Sequence, residues 1–531
     1  MKKTKTIKSL ILYAFLGIAA IFLVIVSTQI FTEKTTSGSE VTGVSSTGEL
    51  GLESTVTSTV TAPVVLPSFP GAEGFGTSTP GGRFGRIIFV TNLHDNIDRD
   101  SKDYVGSFRW AVEHTWPDSP NDPYDQGRII VFKVGGMITL VRNLIVKNPF
   151  TTIAGQTAPG DGITLRGEQL TIATHDVIVR GLRVRVGDEG LPSCCRDGIN
   201  ISTTHADSDV YNVILDHCSV SWAIDENVGA WTASGKPYTT HDITIQWSII
   251  SEGLYDSIHM AEDASSLIPN SMGLILGPEG TSNISVHHNL LANNDGRNPR
   301  LDGVNQVEVV NNVIYNWGSI PTEISAAPIK AHIIGNYYKG GINSSARDII
   351  FQGDQNPNSR VFIDGNYVDF QIQRDSDNTN ARYPRNDQHA VILHQNSGVV
   401  AAWYTNSPPY FKANAPIFDS GVVSTSSMAA YSAVLSSVGA LPRDIVDQRV
   451  IRAVRNRTGS RINSQNEVGG WPDYNAGGAA VDSDNDGIPD SWELAYGINP
   501  NDARDASNFI HRAPSGYTWI EEYTNSLIPI P

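Results

Sequence analysis

The sequence predicts an all-β fold, a right-handed parallel β-helix with a short N-terminal capping helix and C-terminal helices. Two observations carry this expectation. Short runs of β-branched and aliphatic residues recur between about residues 150 and 370, each closed by a turn residue: Thr152–Gln156, Val177–Gly181, Val213–His217, Ile243–Trp247, Ile284–His288, Val307–Asn311, Ile333–Asn336 and Val361–Asn366. Within them Asn289, Asn312, Asn336 and Asn366 stand 23, 24 and 30 residues apart, the spacing of one coil with loops of variable length. Stacked coil on coil, these amides would bond one another. A β-sandwich would place hairpin dipeptides between neighbouring strands, and a propeller would repeat every ~40 residues; neither pattern is present.

From the N-terminus, Lys2, Lys3, Lys5 and Lys8 precede an uncharged apolar run from Leu10 to about Ile30. Residues 1–31 therefore read as an export signal or a signal anchor, with Ser27-Thr28 the nearest cleavage candidate. Either way the rest of the chain lies outside the cytoplasm, secreted or held to the membrane only by that end. Residues 32–66, rich in Ser, Thr, Gly and Val, read as a flexible tether. The folded part begins near Phe69, and residues 67–425 are assigned to the β-helix with its external loops. Near its start Phe108, Ala111, Val112 and Trp116 fall at helical intervals, which predicts the capping helix within 106–116.

The repeat fades after about residue 370, and 372–410, rich in Asn, Asp, Pro and Ser, is expected as long loops along the outside. Tyr431, Val434, Leu435, Val438 and Leu441 predict one or two helices in a 426–475 extension, divided at Pro442. The final segment, 476–531, contains Asp482, Asp484, Asp486, Gly487, Asp490 and Glu493. Acidic oxygens at loop positions 1, 3, 5, 9 and 12 with glycine at 6 match an EF-hand-like calcium loop, read here as structural.

The 531 residues are 18% charged and 40% hydrophobic, a globular composition. With 38 basic and 55 acidic residues the net charge is −17, which argues against a nucleic-acid partner and leaves any acidic substrate to local cations. Cys194, Cys195 and Cys218 are too few for a disulfide framework and form no zinc pattern; one pair with a buried third is expected.

Three acidic clusters and an arginine pair stand out: Asp197, Asp216, Asp225 with Glu226, and Arg297 with Arg300. Carboxylates beside guanidinium groups can hold a hard cation and still meet an anionic sugar. Asp216, Asp225, Glu226 and Arg297 fall at or just past strand ends, so coils stacked ~4.8 Å apart would gather them into one lateral groove, in which Asp216 reads as a supporting strand-end residue. Trp222, Trp231 and Trp247 lie close by, to stack on sugar or to fill the core.

Phe69-Pro-Gly-Ala-Glu-Gly-Phe-Gly76, the segment from Thr152 to Ile163, Leu215-Asp-His-Cys-Ser-Val-Ser-Trp222 with Asp225-Glu226-Asn227, and Arg297-Asn-Pro-Arg300 followed by Asn311-Asn312 resemble the pectate lyases of polysaccharide lyase family one. The likeness covers about 69–370, and Arg443–Arg449 and Gly469–Pro472 also occur in bacterial members. The resemblance implies a secreted, monomeric enzyme cleaving polygalacturonate by calcium-assisted β-elimination. By position it implies Asp197, Asp225 and Glu226 as calcium ligands, Arg297 as the base that takes the C5 proton, and Arg300 as a holder of uronate. An arginine serves as a base only where nearby positive charge and desolvation lower its proton affinity.

Two departures qualify the match. No lysine stands in Ser251–His259, where many members have one, and Asp302 occupies a position often held by arginine; His217, Lys236 and His259 are candidate substitutes. A hydrolase on the same fold would need a Gly-His-Gly segment, which is absent. The alternatives kept open are a non-catalytic glycan-binding or adhesin β-helix and a lyase for another uronate-containing polysaccharide.

Overall fold

All eight runs read from the repeat lie in a single parallel sheet. This sheet 1 orders ten strands from Arg86–Val90 to Arg360–Asp364, and two further parallel sheets of nine strands run beside it. The computed structural model describes residues 66–116, 127–325, 328–344, 358–369, 413–508 and 512–531, with strand backbones at 350–352, 371–373, 380–382 and 392–393. Residues 1–31, expected as an export signal or signal anchor, nearly all of the expected tether, and most of 372–410 lie outside the described residues; in the last, Ile392–Leu393 pairs in parallel with Ile350–Phe351. Among the described residues no helix is long and apolar enough to cross a membrane.

Each coil visits the three sheets in turn, as in Val210–Asp216 (sheet 1), Ser219–Ser221 (sheet 2) and Glu226–Trp231 (sheet 3). The result is a parallel β-helix. Its interior is built by register: Ile130, Ile153, Val179, Leu215, Ile245, Val286, Val309, Ile333 and Ile363 are successive partners along sheet 1, and all are buried. Each contributes about 1.5–3 kcal/mol of apolar burial, and only by lying on its neighbours.

The corner from sheet 1 to sheet 2 is equally repetitive. One residue per coil adopts left-handed backbone there: His217, Trp247, His288 and Asn311 at φ 47°, 47°, 55° and 54°, with Gly181, Gly335 and Gly365 in the same role. The next residue forms the amide ladder. Asn289 Nδ2 donates to Asn312 Oδ1 at 3.0 Å, Asn312 Nδ2 to Asn336 Oδ1 at 3.1 Å, and Asn336 Nδ2 to Asn366 Oδ1 at 2.9 Å. Each acceptor oxygen also takes the backbone N–H of the asparagine below, so the buried corner is fully bonded.

Helix α1 (Phe108–Glu113) is shorter than the periodicity suggests, because buried Arg128 donates to the carbonyls of Ala111, Val112 and His114 and ends it. Phe108, Ala111 and Val112 join the main core at its N-terminal end, while Trp116 lies beyond the helix with Arg86 and Arg128 over its ring. Helices α2 (Ser427–Ser437) and α3 (Ile445–Asn456) seat Val434, Leu435, Val450 and Val454 on Ile249, Leu290 and Val313 of sheet 2. A buried charge cluster fixes the start of α3: Arg185 Nη2 donates to Asp444 Oδ1 at 2.9 Å and Asp447 Oδ1 at 2.8 Å. Helices α4 (Asp490–Tyr496) and α5 (Trp519–Ser526) belong to a segment that packs Ile488 and Ile520 against Ile129 and Val131 of sheet 1. The Phe69–Gly76 loop crosses the same sheet so closely that a Cβ at Gly76 would sit 2.5 Å from the Val213 carbonyl.

Asn312→Ala strands donors and acceptors on both neighbouring coils, and is expected to cost roughly 2–4 kcal/mol in urea unfolding. Asn305→Ala, at an exposed position on the same coil, should stay within about 0.5 kcal/mol of wild type.

Candidate active site

Sheet 3 gathers the acidic residues. Asp197 lies two residues before strand Ile199–Ser202, while on the next coil Asp225 precedes and Glu226 opens Glu226–Trp231. Ile199 is the register partner of Val228, which sets Asp197 beside Glu226 although 29 residues separate them. Carboxylate oxygens of Asp197, Asp225 and Glu226, one from each, lie within 4.8 Å of one another. Asp197 accepts the Glu226 N–H at 3.2 Å and Asn200 Nδ2 at 2.7 Å; Asp225 accepts Asn270 Nδ2 at 2.9 Å.

The arginines come from two coils further on. Arg297 has left-handed backbone at φ 55° and lays its guanidinium against the Glu226 carboxylate. Arg300 pairs in register with Ile275, its Nε donates to Ser325 Oγ at 2.8 Å, and Asp302 and Glu323 lie 3.7 and 3.9 Å from its guanidinium. Burial, then the Asp225 charge, pushes the Asp197 carboxyl well above its ordinary range against the pull of Asn200 and Arg297. Burial likewise raises Asp225, opposed by Asn270, His259 and Arg297. On Arg297 burial and then Arg300 lower the proton affinity, against Asp225, Glu323 and Asp302. Three crowded carboxylates with the buried, unpartnered Oδ1 of Asn200 nearby make an oxygen set that suits a hard divalent cation such as calcium.

These groups line a cleft of roughly 850 Å³ whose wall also includes Trp231, His259 and the Cys194–Cys195 disulfide. Cys218 is buried and free, so the pair-plus-one expectation holds. Asp216 takes the supporting strand-end place expected of it. Asp216 belongs to sheet 1, fully buried, with Arg180 Nε at 2.8 Å, His217 Nδ1 at 2.9 Å and Gln246 Nε2 at 2.8 Å, so its carboxylate serves the corner and not the cleft. His217 goes with it, and exposed Lys236 is not part of the cleft wall. Trp222 is fully buried against Trp471, and Trp247 stacks on His288 at 4.5 Å, leaving Trp231 as the cleft tryptophan of the three. Asn200 and Asn270 were not legible beforehand; only the strand alternation after Asp197 points to Asn200.

The C-terminal acidic loop forms two overlapping groups, Asp482 with Asp484 and Asp486, and Asp486 with Glu493 and Asp505. Glu493 is fully buried, and both its carboxylate oxygens lack hydrogen-bond partners among the described residues. Burial and the neighbouring carboxylates raise Asp486 to about 7 and Glu493 to about 8. Asp490 stands outside both groups, its two oxygens accepting the Ser483 N–H and Oγ at 2.7 Å each. Asp505 joins from beyond the twelve-residue loop, a contribution that the loop pattern does not contain.

No family model matches the chain. It is 34% identical over 478 residues to probable pectate lyase C of Emericella nidulans, covering 87% of this chain and 93% of that one. It is 35% identical over 471 residues to probable pectate lyase C of Aspergillus terreus, covering 87% and 94%. Among solved structures it is similar to a pectate lyase from Bacillus sp. N165 in complex with trigalacturonate, at 15% identity and a TM-score of 0.41 over 70% of this chain and 98% of that one.

Calcium at a hundredfold excess over its dissociation constant is expected to stabilise the protein by about 2.7 kcal/mol per site. Calorimetry should show Glu493→Gln and Asp225→Asn each removing part of the increment and the double variant removing nearly all.

Proposed function

The chain belongs to the pectate lyase family and is a polysaccharide lyase, and from that premise we propose that it is exported and cleaves polygalacturonate by calcium-assisted β-elimination. The observation that carries this reading is the convergence of Asp197, Asp225 and Glu226 beside Arg297 on one face of the coil stack. Those three carboxylates would hold the calcium. When bound, the ion draws charge from a uronate carboxylate and so acidifies the C5 proton.

Arg300 holds a neighbouring uronate through its guanidinium N–H groups. Arg297 takes the C5 proton; the electron pair left behind forms the C4–C5 double bond as the C4–O bond breaks, and the departing oxygen is protonated by solvent. Burial and the Arg300 charge support this role, since both disfavour the protonated form of Arg297. His259, on the cleft wall and linked through Asn270 to Asp225, is the nearest replacement for the lysine other members carry. The C-terminal group of Asp482, Asp484, Asp486, Glu493 and Asp505 would hold a structural calcium that pins its segment to sheet 1.

Asp302 and Glu323 beside Arg300 favour a second reading, a lyase for a uronate polysaccharide with fewer free carboxylates. Relative rates on pectate, pectin and rhamnogalacturonan separate the two.

With calcium titrated into polygalacturonate, the proposal expects ultraviolet-absorbing unsaturated ends to accumulate; new reducing ends without absorbance would mean hydrolysis, and no product at all would mean a binding protein. Arg297→Lys should lower kcat roughly 10²–10⁴-fold with KM little changed. Near-normal turnover with an unaltered pH profile would remove Arg297 from the base role.

A further inference from the structure

A second depression, of roughly 600 Å³, opens on the same face of the coil stack, toward its N-terminal end. Its wall includes Arg99, Arg142 and Lys147, and His205 lines both it and the cleft. The floor between them is continuous in register. Ile145 pairs with Thr171, Thr171 with Asn200, Asn200 with Gly229, Gly229 with Ile275 and Ile275 with Arg300. Five steps of ~4.8 Å make that row about 24 Å long, enough for several pyranose units laid end to end.

Charge distinguishes this end of the row. In a chain of net charge −17, three cationic side chains gather here. Their acidic neighbours only partly offset them. Glu113, 3.5 Å from Arg142 Nη2, is already engaged at 2.8 Å by buried Arg109, and the Lys147–Asp207 pair at 3.2 Å is exposed and therefore weak. Guanidinium groups suit carboxylates because they can donate in pairs. His205, whose basicity is lowered by burial and then by Lys147 and Lys236, faces the same space as a neutral partner for sugar hydroxyls.

We propose that the depression of Arg99, Arg142 and Lys147 is a distal subsite for the carboxylates of an acidic polysaccharide chain whose reacting unit lies over the carboxylate cluster. The inference rests on the uronate-chain reading above and adds a preference for long chains. It predicts that affinity grows with chain length until the polymer spans the row from Arg300 to Lys147.

The test uses equilibrium binding, so that it does not depend on turnover. Long-chain polygalacturonate and trigalacturonate are titrated, with calcium, into the full Arg297→Lys protein with and without R142A/K147A. The expected result is an affinity for the long chain reduced about ten- to a hundredfold by the double change, with trigalacturonate binding unaltered. R142K/K147R, which keeps both charges, should recover most of the long-chain affinity. Equal losses for both ligands, no loss for either, or failure of the parent to prefer the long chain would each overturn the subsite. Absence of lyase activity in wild type would instead overturn the reaction assigned above and leave this comparison interpretable.

Discussion

Parallel register between successive coils is the constraint on which the rest of this structure depends. Asp197 and Glu226 meet because Ile199 lies on Val228, and Arg300 reaches the same face because Ile275 lies on Gly229 and Arg300 on Ile275. A slip of one residue would turn every cleft side chain inward and every core aliphatic outward. The asparagine ladder resists that slip, since each amide is bonded both to the next side chain and to a backbone N–H, and a shifted corner would leave both buried groups unpaired. Left-handed residues at the same corner hold the bend itself, so that turn geometry and amide chemistry specify one register together.

The elements outside the coil extend the same logic by covering sheet faces that the coil alone would leave wet. Helices α2 and α3 cover part of sheet 2, and the Arg185–Asp444–Asp447 cluster fixes where α3 begins. Burial raises the proton affinity of Asp444, yet Arg185 and Arg183 outweigh it and hold this carboxyl below its ordinary range, so the ion pair persists without solvent. The C-terminal acidic group depends on the opposite balance. Lys133 reaches Asp482 at 3.1 Å, but burial and then the charges of Asp486, Asp484 and Asp505 shift the Glu493 carboxyl upward.

How much of this was legible from the chain follows from strand length and residue type. Strands of four to seven residues in sheet 1 have enough alternation to be recognised, whereas the three-residue strands of sheet 2, such as Ile249–Ser251 and Leu290–Ala292, are too short to carry a period. The ladder asparagines stood out because a buried polar residue at coil spacing has few other uses. Asp216 was readable as a supporting strand-end residue but not as belonging to a particular corner: strand ends occur at every corner of a coil, and sequence alone does not say which corner faces the groove. Asp505 and the cationic depression at Arg142 and Lys147 were hidden because their partners come from distant parts of the chain.

Inside the cleft, burial acts in one direction on acids and bases alike, toward the neutral form. It raises Asp197 and Asp225 and lowers Arg297, so each group is charged there only as far as its neighbours oppose desolvation. Arg297 lies against Glu226, and Arg300 tilts the balance by adding a second positive charge beside Arg297. Asp302 and Glu323 restrain the tilt, since both draw Arg297 back toward its protonated form while lying within 4 Å of Arg300. Where the family resemblance leads one to expect an arginine, this chain therefore has an acid that keeps Arg297 more protonated and also competes for Arg300. In the proposed reaction a uronate seated on Arg300 would compete with Asp302 for that guanidinium, and so would tie the reactivity of Arg297, the proposed base, to how well that position is filled.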